Sequence, residues 1–404
     1  MDAYIARQPI LTKDMKIYGY ELLFRSGAAD KSFRGADADQ ATSRVVMESF
    51  FLMGVDSITG GKSAFINFTT RLIEENTATL FPKNQLVIEI LEDVAPTPEI
   101  IKACSELHNQ GYTLAMDDFS YRPELMQLIE ISDILKIDFL HTPQEDIKKM
   151  LALPCVKGKR LLAEKIETYE DFDAAAGLGF TLFQGYFFSR PETITAKALT
   201  PLKMNYVALL KEISSDEYLD YAKLAAAIRS DVALSYKLLK LVNSAFFWLR
   251  TEVKEISQAI TTIGAKEIRK WVLMIALMGI SSDKPDELVK MSMIRGYFLE
   301  NINSRSIKSF PNDAVFQTGL FSMLDVLMDM QMSSALVGMY LVDEVRAALI
   351  YRAGPLSCLL DLVVSLERSD WDRVDEVVRM LGADANLVST VYLEAVKWCN
   401  DMQI

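Results

Sequence analysis

Between residue 1 and about residue 190, short apolar, β-rich runs alternate with helical stretches, and a polar residue falls near the C-terminal end of each run. The runs are SAFINF (63–68), LVIEIL (86–91), TLAMDDF (113–119), ILKIDF (134–139), RLLAEKI (160–166) and LFQGYFF (182–188). Strands that are apolar on both faces and separated by helices require a mainly parallel sheet covered on both sides. The number of units favours a closed barrel over the open doubly wound sheet, which is the second choice. Asn67, Glu89, Asp117, Lys136, Glu164 and Gln184 each sit near the end of a different run. In a parallel barrel those ends converge on one mouth, where such folds place their active sites. One carboxylate at a strand end is most often a cap or surface ion pair, but six strands in step predict a site.

At 404 residues the chain is too long for one ordinary core, so two domains are expected. The segment 190–201, RPETITAKALTP, is polar and bracketed by prolines, which marks a boundary. The expected division is a barrel over 1–195, a linker over 196–203 and a helical domain over 204–404. Beyond the boundary, stretches such as YAKLAAAIRSDVALSYKLLKLVNSAFF and EISQAITTIGAKEIRKWVLMIALMGI repeat apolar residues at three- and four-residue spacing, which predicts an all-α bundle. The fold class is thus α/β plus all-α.

A net charge of -12 argues against a broad footprint on a nucleic acid polymer, which needs clustered Lys and Arg. Cys104, Cys155, Cys358 and Cys399 show neither a disulfide pattern nor the spacing of a zinc ribbon, and a reducing cytoplasm suits them. The N-terminus lacks an apolar signal-peptide core, and the strongest apolar run, Trp271 to Ile280, is far shorter than the ~20 residues of a bilayer span, so it is read as a buried helix.

The predicted mouth gathers Glu21, Glu89, Asp117, Asp118 and Glu164 with the amides of Asn67 and Gln184 and the ammonium of Lys136. So many like charges repel unless cations neutralise them. An all-oxygen set suits Mg2+ or Mn2+, and adjacent aspartates such as Asp117 and Asp118 commonly serve two metals.

These residues fall in ordered blocks: QPI (8–10), GYELLFR (19–25), Asn67 in INFT, Glu89 and Glu92 in EILE, DDF (117–119), KID (136–138), AEKIET (163–168) and QGYFFSRP (184–191). Together they resemble the signature of the EAL domain of cyclic-di-GMP phosphodiesterases, over nearly all of residues 4–191. The resemblance implies a modified (β/α)8 barrel that cleaves one phosphodiester bond of cyclic di-GMP, giving linear pGpG, with Mg2+ or Mn2+. It implies Glu21, Asn67, Glu89 and Asp117 as ligands of a first metal, and Asp117 with Asp118 toward a second. Lys136 resembles the residue that holds the attacking water, with Glu164 and Gln184 completing the metal and water shell. Gln8 and Arg25 resemble substrate contacts, Arg25 to a phosphate. Glu92 resembles the anchor of the loop after Asp118.

That loop departs from the family. It reads SYRPEL (120–125), without the lid glycines, and a chain without glycine cannot make the same positive-φ turns, so the second metal site is expected to be poorly organised. Leu22 replaces an alanine, Leu91 a threonine and Lys165 a glycine. A catalytically inactive barrel serving as nucleotide receptor or protein adaptor therefore stands as the alternative to an active phosphodiesterase.

Residues 228–247, 256–264 and 319–325 resemble the HDOD domain, a relative of HD-type phosphohydrolases, which makes the whole chain similar to EAL–HDOD signalling proteins. HD chemistry needs several histidines; this chain has His108 and His141 alone, both in the first half. Asp231, Asn243, Ser244 and Gly264 are accordingly expected to be bundle architecture, and the domain to serve regulation, partner binding or self-association, a homodimer included. His108 reads as a surface residue and His141 as a loop residue. TGGKS (59–63) mimics the end of a P-loop, but Asp56 stands where that motif needs glycine and a strand follows, so it reads as a turn. The 19 methionines read as adaptable core packing.

Overall fold

The computed structural model describes residues 3–26, 54–189, 201–214, 225–226, 228–229, 232–243, 252–305 and 310–402. The chain divides into two compact units: Met1–Arg190 with Val364–Lys397, and Pro191–Val363 with Trp398–Ile404. The proline-bracketed boundary falls almost wholly outside the described residues. The helical region expected over 204–404 is itself divided, because Val364–Lys397 groups with the barrel residues.

The first unit is built on a closed barrel of eight strands in sequence order: β1 (Ala3–Thr12), β2 (Ile17–Ser26), β3 (Ser63–Phe68), β4 (Leu86–Ile90), β5 (Thr113–Met116), β6 (Ile134–Asp138), β7 (Arg160–Glu164) and β8 (Leu182–Gln184). From β2 to β8 neighbours run parallel, while β1 is antiparallel to both β2 and β8 and closes the ring. The six runs read from the sequence are β3 to β8; the β1–β2 hairpin is the part not foreseen as strand. Ile10, Phe65, Val87, Ala115, Ile134, Leu162 and Leu182, one from each strand except β2, fill the barrel interior.

Helices α1 (Val55–Thr59), α2 (Thr70–Glu74), α3 (Pro98–Asn109), α4 (Met126–Ile131), α5 (Gln144–Leu151) and α6 (Tyr169–Gly177) punctuate the strands. Local chemistry sets their ends. Thr97 accepts from the Ile100 amide and Pro98 opens α3, which buries Ile100, Cys104 and Leu107 on one stripe. Thr168 and Asp171 form a reciprocal capping box on α6. Gly60, Gly61 and Lys62 form a turn from α1 into β3, so the P-loop-like stretch is a turn as expected. After β8 the chain turns at Gly185, where φ is +149° and a Cβ would stand 2.0 Å from the Ile166 carbonyl oxygen, so only glycine fits.

The second unit is helical throughout its described residues: α7 (Pro201–Ser214), α8 (Val232–Val242), α9 (Ile256–Ile263), α10 (Ala265–Ile280), α11 (Asp286–Ser304), α12 (Asn312–Leu320), α13 (Leu324–Met328), α14 (Met332–Ala335), α15 (Asp343–Tyr351) and α16 (Pro355–Glu367), whose last turn enters the first unit. The apolar run Trp271–Ile280 lies in α10 and is buried apart from one partly exposed residue, Met278. No single helix among the described residues is long and apolar enough to cross a membrane. Gly319 lets α12 close on α11: a Cβ there would meet the Arg295 backbone at 2.5 Å. Asn243 donates to Leu239 and Val253 carbonyls and accepts from the Val253 amide, tying the end of α8 to the strand of chain before α9. Gly264, at φ +92°, joins α9 to α10. Both are architecture, as their sequence context suggests; Asp231 and Ser244 lie outside the described residues. The remaining helices, α17 (Trp371–Leu381) and α18 (Ala385–Asp401), follow, with α17 wholly in the first unit.

Candidate active site

Strand register brings the polar strand ends together. Asn67 pairs with Glu89 across β3 and β4, Asp138 with Glu164 across β6 and β7, and Gln8 with Glu21 across β1 and β2. Asp117 follows β5, with its amide bonded to the Ile90 carbonyl at 3.0 Å. At the centre stands Lys136, fully buried. Its Nζ lies 2.6 Å from Glu89 Oε1, 2.6 Å from Asp117 Oδ1, 3.0 Å from Glu164 Oε1 and 3.7 Å from Glu21 Oε1. Gln184 Nε2 donates to Glu21 Oε2 at 2.6 Å and to Gln8 Oε1 at 3.0 Å, so Gln8 joins the same network. Of the eight residues expected at the mouth, Glu21, Glu89, Asp117, Lys136, Glu164 and Gln184 are thus linked directly, and Asn67 lies beside Glu89.

Four carboxylates against one ammonium in a dry site is an unbalanced arrangement, and the titration behaviour registers it. Burial pushes the Glu89 carboxyl well above the ordinary range, Lys136 opposes this, and Glu21 and Asp117 add to it. Burial likewise raises Glu164, to about 7, with Asp117 and Glu21 contributing and Lys136 opposing. Burial alone would lower Lys136, but Glu164, Glu21, Glu89 and Asp117 more than offset it and hold the ammonium well above its usual value.

The donor chemistry fits a hard divalent cation. Asn67 Oδ1, Glu89 Oε2 and Gln184 Oε1 are buried oxygens without a hydrogen-bond partner, the kind of unspent acceptor that a Mg2+ or Mn2+ ion satisfies. Among the described residues no three carboxylates already close on one point as a ligand group; those at the mouth turn toward Lys136 Nζ instead, and gripping a cation requires them to rotate off it.

Asp118 stands apart. It is exposed, at φ +39°, and its charge helps to raise the Lys165 ammonium, after the larger effects of burial and the bond to Asp138. Glu92 is exposed, and it is its backbone carbonyl that accepts from Arg122 Nη2, at 3.2 Å, to tie down the loop after Asp118. In that loop Pro123–Leu125 forms a tight turn that drops Leu125 into the core. Arg25, four residues beyond Glu21 on β2, meets Asp372 at 3.1 Å.

Asp138 is the group that sequence reasoning passed over. It receives Lys165 Nζ at 2.6 Å, His141 Nδ1 at 2.8 Å and the His141 amide at 2.8 Å. Although burial raises its carboxyl, these bonds hold it below the usual range. Its place at the C-terminal end of β6, two residues past Lys136, was the available signal. Lys165 takes the left-handed backbone, φ +56°, where the family has glycine, and its ammonium is spent on Asp138 at the rim of the cluster. His108 is surface-facing, with Nδ1 3.5 Å from Asp133.

Fold and site together define a closed-barrel protein with an acidic, lysine-centred cluster at the strand ends, followed by a histidine-free helical half. The EAL domain profile matches residues 56–191 and the HDOD domain profile matches residues 199–337. The uncharacterized protein YuxH of Bacillus subtilis is 35% identical over 100% of this chain and 99% of its own length. Cyclic di-GMP phosphodiesterase CdgJ of Vibrio cholerae is 35% identical over 99% of this chain and 93% of its own. A manganese and cyclic-di-GMP complex of BlrP1 from Klebsiella pneumoniae is 21% identical over 46% of this chain and 55% of that one, with a TM-score of 0.38. The chain belongs to the EAL–HDOD family.

Proposed function

We propose that this protein acts in cyclic-di-GMP signalling as a phosphodiesterase that opens one phosphodiester bond of the cyclic dinucleotide to give linear pGpG, with its HDOD part as a non-catalytic regulatory or protein-binding module. The observation that carries the reading is Lys136 Nζ buried within reach of Glu21, Glu89, Asp117 and Glu164, beside unspent oxygens of Asn67, Glu89 and Gln184. Glu21, Asn67, Glu89 and Asp117 would hold a first divalent ion, Mg2+ or Mn2+; a second would fall to Asp117 with Asp118 and is the less organised of the two, because Asp118 stands exposed and apart from the cluster. A bound ion of this kind supplies Lewis-acid polarisation of the phosphate and an acidified water.

The chain's own residues do the rest. Lys136 offsets the carboxylates in the substrate-free site and offers a positive charge toward the phosphate oxygens. Gln184, by donating to Glu21 and Gln8, fixes the orientation of both. Arg25, on the same strand as Glu21, presents a guanidinium suited to a phosphate. The helical half, with no histidine, supports no HD-type metal chemistry.

The test is pGpG release from cyclic di-GMP with Mg2+ or Mn2+, alongside calorimetric titration of the nucleotide. Release that disappears in Glu21→Ala and Lys136→Met is expected. Binding without release assigns the barrel to the receptor class, and neither binding nor release overturns the proposal.

A further inference from the structure

The turn between α16 and α17 lies on the residues proposed to receive substrate. Within the first unit, the Glu367 carbonyl accepts from the Tyr186 hydroxyl and from Gln8 Nε2, the latter at 3.3 Å, and Ser369 Oγ lies 3.5 Å from the same Gln8 nitrogen. The Arg368 guanidinium sits 5.4 Å from the centre of the Tyr186 ring. One turn further on, Trp371 stacks on Tyr4, with centroids 6.1 Å apart and planes 13° apart, and Asp372 pairs with Arg25 at 3.1 Å. Tyr4 and Arg25 are opposite each other in the β1–β2 register, so two consecutive residues of α17 land on one paired position of the barrel.

The local sequence builds this contact. Ser369 takes a left-handed backbone, φ +55°, to reverse the chain, and Asp370 caps α17 by accepting from the Arg373 amide. Asp372 in the first turn is favoured by the helix dipole, so its carboxylate is held at the end of α17 that faces Arg25. From there a hydrogen-bonded path leads inward, from Glu367 and Ser369 to Gln8, from Gln8 to Gln184 and from Gln184 to Glu21, and an ion pair at 3.7 Å joins Glu21 to Lys136.

We infer that the segment Glu367–Asp372 is an autoinhibitory strap, in which Asp372 holds the Arg25 guanidinium in place of a substrate phosphate while the Glu367 carbonyl holds Gln8. A carboxylate and a phosphate compete for one guanidinium because both offer anionic oxygens to the same fork of donors. Asp372 is 92% exposed, so the ion pair is weak enough for a phosphate to displace, and the strap sets an affinity threshold without closing the site permanently. The inference rests on the phosphodiesterase reading of the barrel, which gives Gln8 and Arg25 their roles.

The experiment uses the full chain with Mn2+ and reads KM and kcat for pGpG release together with calorimetric affinity for cyclic di-GMP. Asp372→Asn keeps the shape and removes the charge; Trp371→Ala loosens the stack. Asp372→Asn is expected to lower KM by about two- to fivefold, the size an exposed ion pair supports, with kcat unchanged. Trp371→Ala is expected to lower KM at least as far. In an Arg25→Ala background, Asp372→Asn should change nothing, which separates competition for Arg25 from a general loosening. If the wild type turns over and both variants keep its KM and affinity, the strap is refuted while the phosphodiesterase reading stands. If the wild type is silent and the variants turn over, the strap is a full block. If no version binds or cleaves the nucleotide, the reading of the barrel fails and the strap goes with it. Asp372→Asn alters an exposed side chain, so a folding defect in Trp371→Ala leaves the charge test intact.

Discussion

Lys136 has no solvent exposure, and four carboxylates surround its ammonium. Removing one partner from a buried ionic cluster costs far more than an exposed pair is worth, since the remaining charges stay desolvated. Lys136→Met keeps most of the volume and deletes the charge. It is expected to lose about 3–5 kcal/mol of stability, read as a drop in the urea midpoint with divalent ions chelated. Adding Mn2+ should recover part of that loss, because a cation can replace the missing positive charge among the carboxylates. An unchanged midpoint would mean that the carboxylates are protonated or solvated in the folded chain and that Lys136 is not what holds them together.

Helices α10 and α11 are joined by a pair that makes a separate prediction. Lys270 Nζ lies 2.6 Å from Glu300 Oε1 and 3.4 Å from Glu267, with Lys270 and Glu300 side chains only 14% and 15% exposed. Burial would lower Lys270, but the bond to Glu300 and the charges of Glu300 and Glu267 raise it above 10.5. A lysine raised in the folded state stabilises the fold fully below its unfolded value and loses that contribution as pH rises through the folded value. Glu300→Gln should therefore cost about 2 kcal/mol near neutral pH and progressively less above pH 10.5, measured by urea unfolding across that range. A deficit that stayed constant with pH would assign the loss to packing.

At the same scale, the elements differ in how plainly their sequences announce them. The six parallel strands β3 to β8 are legible because they are apolar on both faces and carry a polar residue at the end, and SAFINF coincides with β3 residue for residue. β1 and β2 are harder to see, since Pro9 and Gly19 inside the runs are residues that usually argue against a strand. Pro9 is tolerated in this first strand, and Gly19 is needed because a Cβ would press on the Ser63 carbonyl at 2.6 Å. The acidic cluster was legible because its members are strand ends. Asp138 also ends a strand, but its pairing with Lys165 was not legible, because it depends on a left-handed residue where the family has glycine.

For the whole molecule, helical periodicity identifies α16 and α17 as helices but carries no information about which core they join. Val364–Lys397 belongs with the barrel residues, separated from them in sequence by Pro191–Val363 of the second unit. A fragment cut at residue 195, where composition suggests a boundary, therefore lacks part of its own unit. It loses the Tyr4–Trp371 stack, worth about 0.5–1.5 kcal/mol. It also loses the bond from the Tyr186 hydroxyl to the Glu367 carbonyl, worth about 1 kcal/mol. Tyr4, now 2% exposed, would be uncovered. The amides of β1 and β2 are expected to exchange about tenfold to seventyfold faster in the 1–195 fragment than in the full chain, the factor that corresponds to the summed loss. Equal protection would mean that the barrel is complete without the returning helices, leaving restraint of Gln8 and Arg25 as what the segment contributes to it.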